Sequence, residues 1–277
     1  KIPRRQLRAG SSPALGTKYS IMHVIFFLGP HKSATSSLQR LLRENIQSRS
    51  IKYIDQHVIK KTINKDLFKN ITKANHLYYK GNLLDDSLHG KLKIEFKKIL
   101  LKYSNFKEII FFNENILGPM IGHNFAGNNL CKQIYPSYEI LIDALRSLKN
   151  DNDLSIASLE IIVIKRDFYK WIISVANDYN KKCYKNNLLR NDESFLSTVD
   201  KNSIDRFSQL FQLKEITVIE FDSLINISEV KHLKEFLKFD YEFIKDLGNK
   251  ITLKNDNSSN RKIDGRFKKQ LLEKVTK

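Results

Sequence analysis

Three stretches of this chain are apolar at consecutive positions rather than at alternate ones: residues 21–28 (IMHVIFFL), 108–113 (EIIFFN) and 159–165 (LEIIVIK). A strand with one wet face alternates, so unbroken runs of this length mean strands covered on both faces, the habit of parallel sheets. Residues 51–54 (IKYI) and 216–221 (ITVIEF) add two weaker candidates. Helical patterns fill the gaps. Leu38, Leu41, Leu42 and Ile46 share one face after the first run, and Leu92, Phe96, Ile99 and Leu100 form a stripe in the lysine-rich, largely helical stretch 55–107. Residues 138–148, a segment bearing Ile172, Val175, Ala176 and Tyr179, and residues 204–213 and 230–237 also read as helices, with a short final one at the C-terminus. Residues 118–136, with glycines at 118, 122 and 127 and prolines at 119 and 136, read as a long loop. Strands alternating with helices predict an α/β fold with a central, mostly parallel sheet of about five strands flanked by helices.

Composition narrows the function classes without choosing among them. Lysine and arginine number 48 against 30 acids, a formal net charge of +18 over 277 residues. Such a charge favours an anionic partner: nucleic acid, a membrane surface, a phosphate-bearing cofactor or an acidic polysaccharide. A helix-turn-helix, a zinc finger and an aromatic RNA-binding signature are all missing, so no specific nucleic acid is expected. Cys131 and Cys183 make no disulfide framework and lack metal-ligand spacing. No apolar run reaches the length of a spanning helix. Residues 1–20 have no apolar periodicity and read as a flexible tail or an expression remnant, with residues 21–277 as a single domain. Met22 as a native start implies a cytoplasmic protein, and a trimmed stem implies a Golgi lumen.

The first apolar run leads directly into Gly29-Pro30-His31-Lys32-Ser33-Ala34-Thr35-Ser36-Ser37 and then a helix. A helix N-terminus presents unpaired N–H groups and a partial positive charge, the hydroxyls of Ser33, Thr35, Ser36 and Ser37 add donors, and Lys32 adds a full charge. Such a nest cradles an anion. No second glycine precedes Lys32, so the spacing is not that of the nucleotide-triphosphatase loop.

The run from Phe27 to Gln39 resembles the 5′-phosphosulfate loop of the sulfotransferases that use 3′-phosphoadenosine 5′-phosphosulfate (PAPS), in the bacterial-type form GPHKTGTTxLQ. Gly29, Pro30, His31, Lys32, Thr35, Leu38 and Gln39 match, while Ala34 stands for a glycine and Ser36 for a threonine. The resemblance implies a P-loop-like three-layer sandwich, PAPS as donor and adenosine 3′,5′-bisphosphate as product, with no metal required. It also implies Arg166 and Ser174 as ligands of the 3′-phosphate. A basic segment with Asn257, Ser258 and Arg261 resembles the loop that closes over the nucleotide in relatives. The acceptor expected is a sugar or polysaccharide hydroxyl, with an amine as the alternative.

Sulfuryl transfer needs in-line positioning and charge stabilisation. Lys32 is the candidate for charge on the leaving phosphate. Glu114, at the end of the second apolar run, is the first candidate for the base, with His31 and His123 as rivals. The segment around Glu114 (NENILG) resembles a family segment of the form S-x-E-x-L-G. A P-loop kinase or other phosphotransferase is the alternative enzyme, and a basic nucleic-acid-binding protein the alternative outside enzymes.

Overall fold

A computed structural model of the chain describes residues 21–31, 39, 42–43, 50–55, 58, 65–118, 120–122, 124–125, 129–185, 192–221 and 263–276. Its centre is a five-stranded sheet built from β1 (Met22–Leu28), β2 (Ile51–Asp55), β3 (Glu108–Phe112), β6 (Ile156–Lys165) and β7 (Thr217–Glu220), in the order β2-β3-β1-β6-β7. Every neighbouring pair is parallel. The α/β architecture expected from the unbroken apolar runs is therefore observed, and residues 24–28 of β1 are all buried.

Helices α1 (Lys65–Tyr79) and α2 (Asp85–Lys102) connect β2 to β3, and α3 (Tyr138–Arg146) lies between β3 and β6. Among the described residues three more lie between β6 and β7: α4 (Phe168–Lys185), α5 (Asp192–Leu196) and α6 (Ser203–Gln209), and the last is α7 (Gly265–Thr276). The stretch 118–136, expected as a loop, contains a two-residue antiparallel ladder, β4 (Asn124–Phe125) with β5 (Asn129–Leu130). Two residues a side are too few to leave an alternating pattern in the sequence.

Handedness assigns the connections to faces. The link from β1 to β2 passes β3 in one direction, whereas those from β2 to β3, β3 to β6 and β6 to β7 all run the other way. Right-handed crossovers then put the first link on one face and the rest on the opposite face. Burial follows this division. Val24, Phe26, Leu28, Ile109, Phe111, Ile161 and Val163 join one large apolar cluster with Phe96 of α2, Leu141 of α3, Ile172 of α4 and Leu271 of α7. Phe26, Phe96 and Phe111 meet with ring centroids 5.5 to 5.6 Å apart. Each such ring contributes about 1.5–3 kcal/mol by leaving water.

The register partners Phe27 and Phe112, stacked at 5.3 Å, belong to the other face with Tyr53 and Asp55. There Tyr53 donates its hydroxyl to the carbonyl of Gln39 at 3.1 Å, and Arg43 holds the buried Asp55 carboxylate through Nε at 2.7 Å. Gln39, Leu42 and Arg43 are helical, and the contacts of Gln39 and Arg43 place those two residues on this face. Gly122 marks a close approach: its φ is +73°, and a Cβ there would fall 2.2 Å from the Phe195 ring.

Candidate functional site

Ligands of parallel α/β sheets gather beyond the carboxyl ends of the strands, where neighbouring strands send their connections to opposite faces. β1 is such a strand, because its exit differs in face from the exits of both neighbours, β3 and β6. Its register pairs Phe27 with Phe112 and Leu28 with Val163. Gly29-Pro30-His31, Asn113-Glu114-Asn115 and Arg166 consequently leave the sheet along one edge.

His31 is the best-defined residue there. Its backbone N–H donates to the Tyr135 hydroxyl oxygen at 2.9 Å, and its Nδ1 lies 2.9 Å from the same oxygen. The two rings are nearly coplanar in orientation, 13° apart. Trp171, in the first turn of α4, donates its indole N–H to the His31 carbonyl at 2.7 Å. Burial pushes the Tyr135 phenol well above its ordinary value; the His31 N–H opposes this, and the nearby Glu114 charge adds to it. Tyr135 therefore keeps its proton and donates it to Nδ1. Nε2 then carries the ring hydrogen and donates it towards Asn115 Oδ1 at 3.4 Å. The amide orientation agrees, since Asn115 Nδ2 donates to Asn113 Oδ1 at 3.2 Å. Tyr135 has a φ of +43°, a conformation that costs a non-glycine residue about 1 kcal/mol and is held here by burial and these bonds.

Glu114 opens a 3-10 turn (Glu114–Leu117) and is half-buried. The turn is capped by Asn113, whose Oδ1 accepts the Asn115 backbone N–H at 2.9 Å. Asn113 is fully buried, and its Nδ2 has no hydrogen-bond partner in the described structure. Such a donor is exceptional in a folded protein. Arg166 follows β6 directly and sets its guanidinium over the Phe221 ring, 5.1 Å from the centroid. Asp167 is occupied with capping α4, accepting the Lys170 N–H at 2.9 Å. Ser174 stands in the second turn of α4 and is half-buried.

The sheet thus brings together Gly29, Pro30, His31, Glu114 and Arg166, with Ser174 on the helix that leaves beside Arg166. Lys32, Ser33, Ala34, Thr35, Ser36 and Ser37 lie outside the described residues, as do His123, Asn257, Ser258 and Arg261. An open groove lined by Leu196, Lys201 and Gln270 contains none of the expected site residues. No helix among the described residues is long and apolar enough to cross a membrane.

No family profile matches the chain, and no curated protein does either. Among solved structures it is similar to a sulfotransferase domain from the curacin biosynthetic pathway. That similarity has 13% identity over 81% of this chain and 77% of the other, with a TM-score of 0.36. So loose a superposition carries no argument, and function has to be argued from the chain's own side chains.

Tyr135, Asn115, Asn113 and Trp171 were not legible as site residues. Tyr135 and Trp171 lie 104 and 140 residues from the histidine they hold, and no local pattern ties them to it. The signal that could have been used is the pair of asparagines flanking Glu114 at the end of an apolar strand.

Proposed function

We propose that this protein is a sulfotransferase that moves a sulfuryl group from PAPS to a hydroxyl or amine of an acceptor, with sugar hydroxyls the first class to screen. The observation that carries the reading is the pairing of β1 with β6. The loop resembling a 5′-phosphosulfate cradle follows one strand, and the arginine suited to a 3′-phosphate follows its register neighbour. Anion sites expected on adjacent strand ends would suit a nucleotide with phosphate at both ends better than a triphosphate.

In this reading Lys32 and the hydroxyls of Ser33, Thr35, Ser36 and Ser37 hold the 5′-phosphosulfate, while Arg166 and Ser174 take the 3′-phosphate. Asn257, Ser258 and Arg261 would close over the nucleotide. The acceptor oxygen attacks sulfur in line: the new S–O bond forms as the bond from sulfur to the bridging phosphate oxygen breaks. Negative charge accumulates on that oxygen, where Lys32 stabilises it. Glu114 removes the acceptor proton, leaving adenosine 3′,5′-bisphosphate and the sulfated acceptor as products. His31 is given a positioning role, because both ring nitrogens face Tyr135 and Asn115 and its backbone N–H is already donated. It orients the loop from which Lys32 extends.

Calorimetric titration with adenosine 3′,5′-bisphosphate in metal-free buffer tests this directly. Wild type should bind it in preference to ATP, and Lys32→Ala/Arg166→Ala should lose binding while remaining folded by circular dichroism. A folded wild type that prefers magnesium-ATP would make it a phosphotransferase instead, and one that binds neither would end the nucleotide reading.

A further inference from the structure

Asn75 is an amide in the middle of an apolar helix face. It is fully buried on α1, next to Ala74 and one turn on from Ile71 of the large cluster, and belongs to none of the motifs in the sequence. A buried amide is tolerated only when its donor and acceptor are both used. Here Nδ2 donates to the carbonyl of Ile116 at 2.8 Å, and Oδ1 accepts the hydroxyl of the buried Ser137 at 2.9 Å. The first bond grips the Glu114–Leu117 turn and the second grips the residue two places after Tyr135.

Followed onward, these bonds close on themselves. From His31 the path runs through Nε2 to Asn115, along the chain to Ile116, across to Asn75 and Ser137, and back through Pro136 and the Tyr135 hydroxyl to Nδ1 of His31. Asn113 Oδ1 braces the same turn through the Asn115 backbone. Neither the turn nor the segment carrying Tyr135 to Ser137 is a strand of the sheet, so their spacing is not set by backbone pairing. We propose that Asn75 is a positioning residue for the site: through this ring of hydrogen bonds, buried at Asn75 and Ser137 and part-buried at His31, it sets the separation between His31 and the turn bearing Glu114. An aliphatic side chain would fill the same volume but hold neither segment. What the site binds rests on the sulfotransferase reading; the ring itself does not.

Two measurements on Asn75→Ala test the proposal separately, with Ile71→Val as a control of the same helix and burial. The first is backbone amide exchange at His31, and the second is calorimetric affinity for adenosine 3′,5′-bisphosphate, each made at a fixed interval below the variant's own melting temperature. Asn75→Ala should speed His31 exchange and weaken the bisphosphate, each by roughly tenfold, the size of one lost hydrogen bond, whereas the control changes neither by more than about twofold. Ser137→Ala should repeat the Asn75→Ala result from the other side of the ring, and Ser137→Thr, which keeps the hydroxyl, should behave as wild type. If Asn75→Ala does not fold, Ser137→Ala decides alone. Exchange and affinity no different from the Ile71→Val control would overturn the proposal. If wild type fails to bind the bisphosphate, the sulfotransferase reading falls, and His31 exchange still tests the ring.

Discussion

The two edges of the sheet carry similar chemistry under opposite conditions. At the amino edge an exposed histidine, His23, meets Ser158 at 2.8 Å, and Lys97 of α2 pairs with Asp151 at 2.6 Å and with Asp153. At the carboxyl edge a histidine also meets a hydroxyl, but Tyr135, Asn113, Asn75 and Ser137 around it are all buried. In water, such contacts exchange for hydration at little net change; in the interior, a lost partner leaves a stranded polar group. The same kinds of bond are therefore dispensable on one edge and structural on the other, and only the second can hold a loop to a fixed geometry.

That contrast can be broken by mutation. The largest effect should come from Gly122→Ala in the stretch that follows β3, where the new methyl meets the buried Phe195 ring in a left-handed backbone conformation. A loss of about 3 kcal/mol in denaturant unfolding is expected. Tyr135→Phe should follow at about 2 kcal/mol, because it removes the hydroxyl that the His31 N–H and Nδ1 share. Arg43→Ala leaves the Asp55 carboxylate buried without its guanidinium; since Arg43 is itself part-exposed, about 2 kcal/mol is expected rather than the full penalty of an interior pair. On the amino edge, His23→Ala should stay within about 0.5 kcal/mol of wild type. If it matched Tyr135→Phe, the distinction between the edges would be wrong.

The smallest effect sharpens the comparison through pH. The hydrogen bond from Lys97 holds the Asp151 carboxyl below its ordinary value. A lowered carboxyl pKa adds stability that is complete above the unfolded value and is lost as pH falls through the folded one. Thermal melts of Lys97→Met and wild type should accordingly differ slightly at neutral pH, converge in acid, and also converge with added salt.

The sheet was legible because burial on both faces writes itself into consecutive residues. Residues 108–113 and 159–165 needed only their neighbours to be read, and the stripe Leu92, Phe96, Ile99 and Leu100 falls on the buried face of α2 as its spacing required. The ends of elements were less clear: β6 begins at Ile156, three residues before its apolar run, because its first turn of pairing lies at the exposed margin. Glu114 was found as a residue at a strand end, a position that sequence can mark, and Arg166 through the family resemblance that also named Ser174. Asn75, Ser137 and Tyr135 were not, because what makes them matter is a partner brought close by the fold. A lone asparagine among lysines on a helix carries no sign of the carbonyl it will meet.

The partners of His31 lie 84, 104 and 140 residues downstream, and β1 itself pairs with a strand as far on as Ser158, 135 residues from His23. On a ribosome adding roughly 5–20 residues each second, β1 waits on the order of ten seconds for its second neighbour. Val24 to Leu28, an uncharged run of branched and aromatic residues, has both edges open until β3 is made and one still open until β6 follows. The strand that centres the finished sheet is thus the segment most exposed to mispairing while the chain is being made. Shortening that wait, or shielding the strand during it, should therefore raise the yield of folded protein.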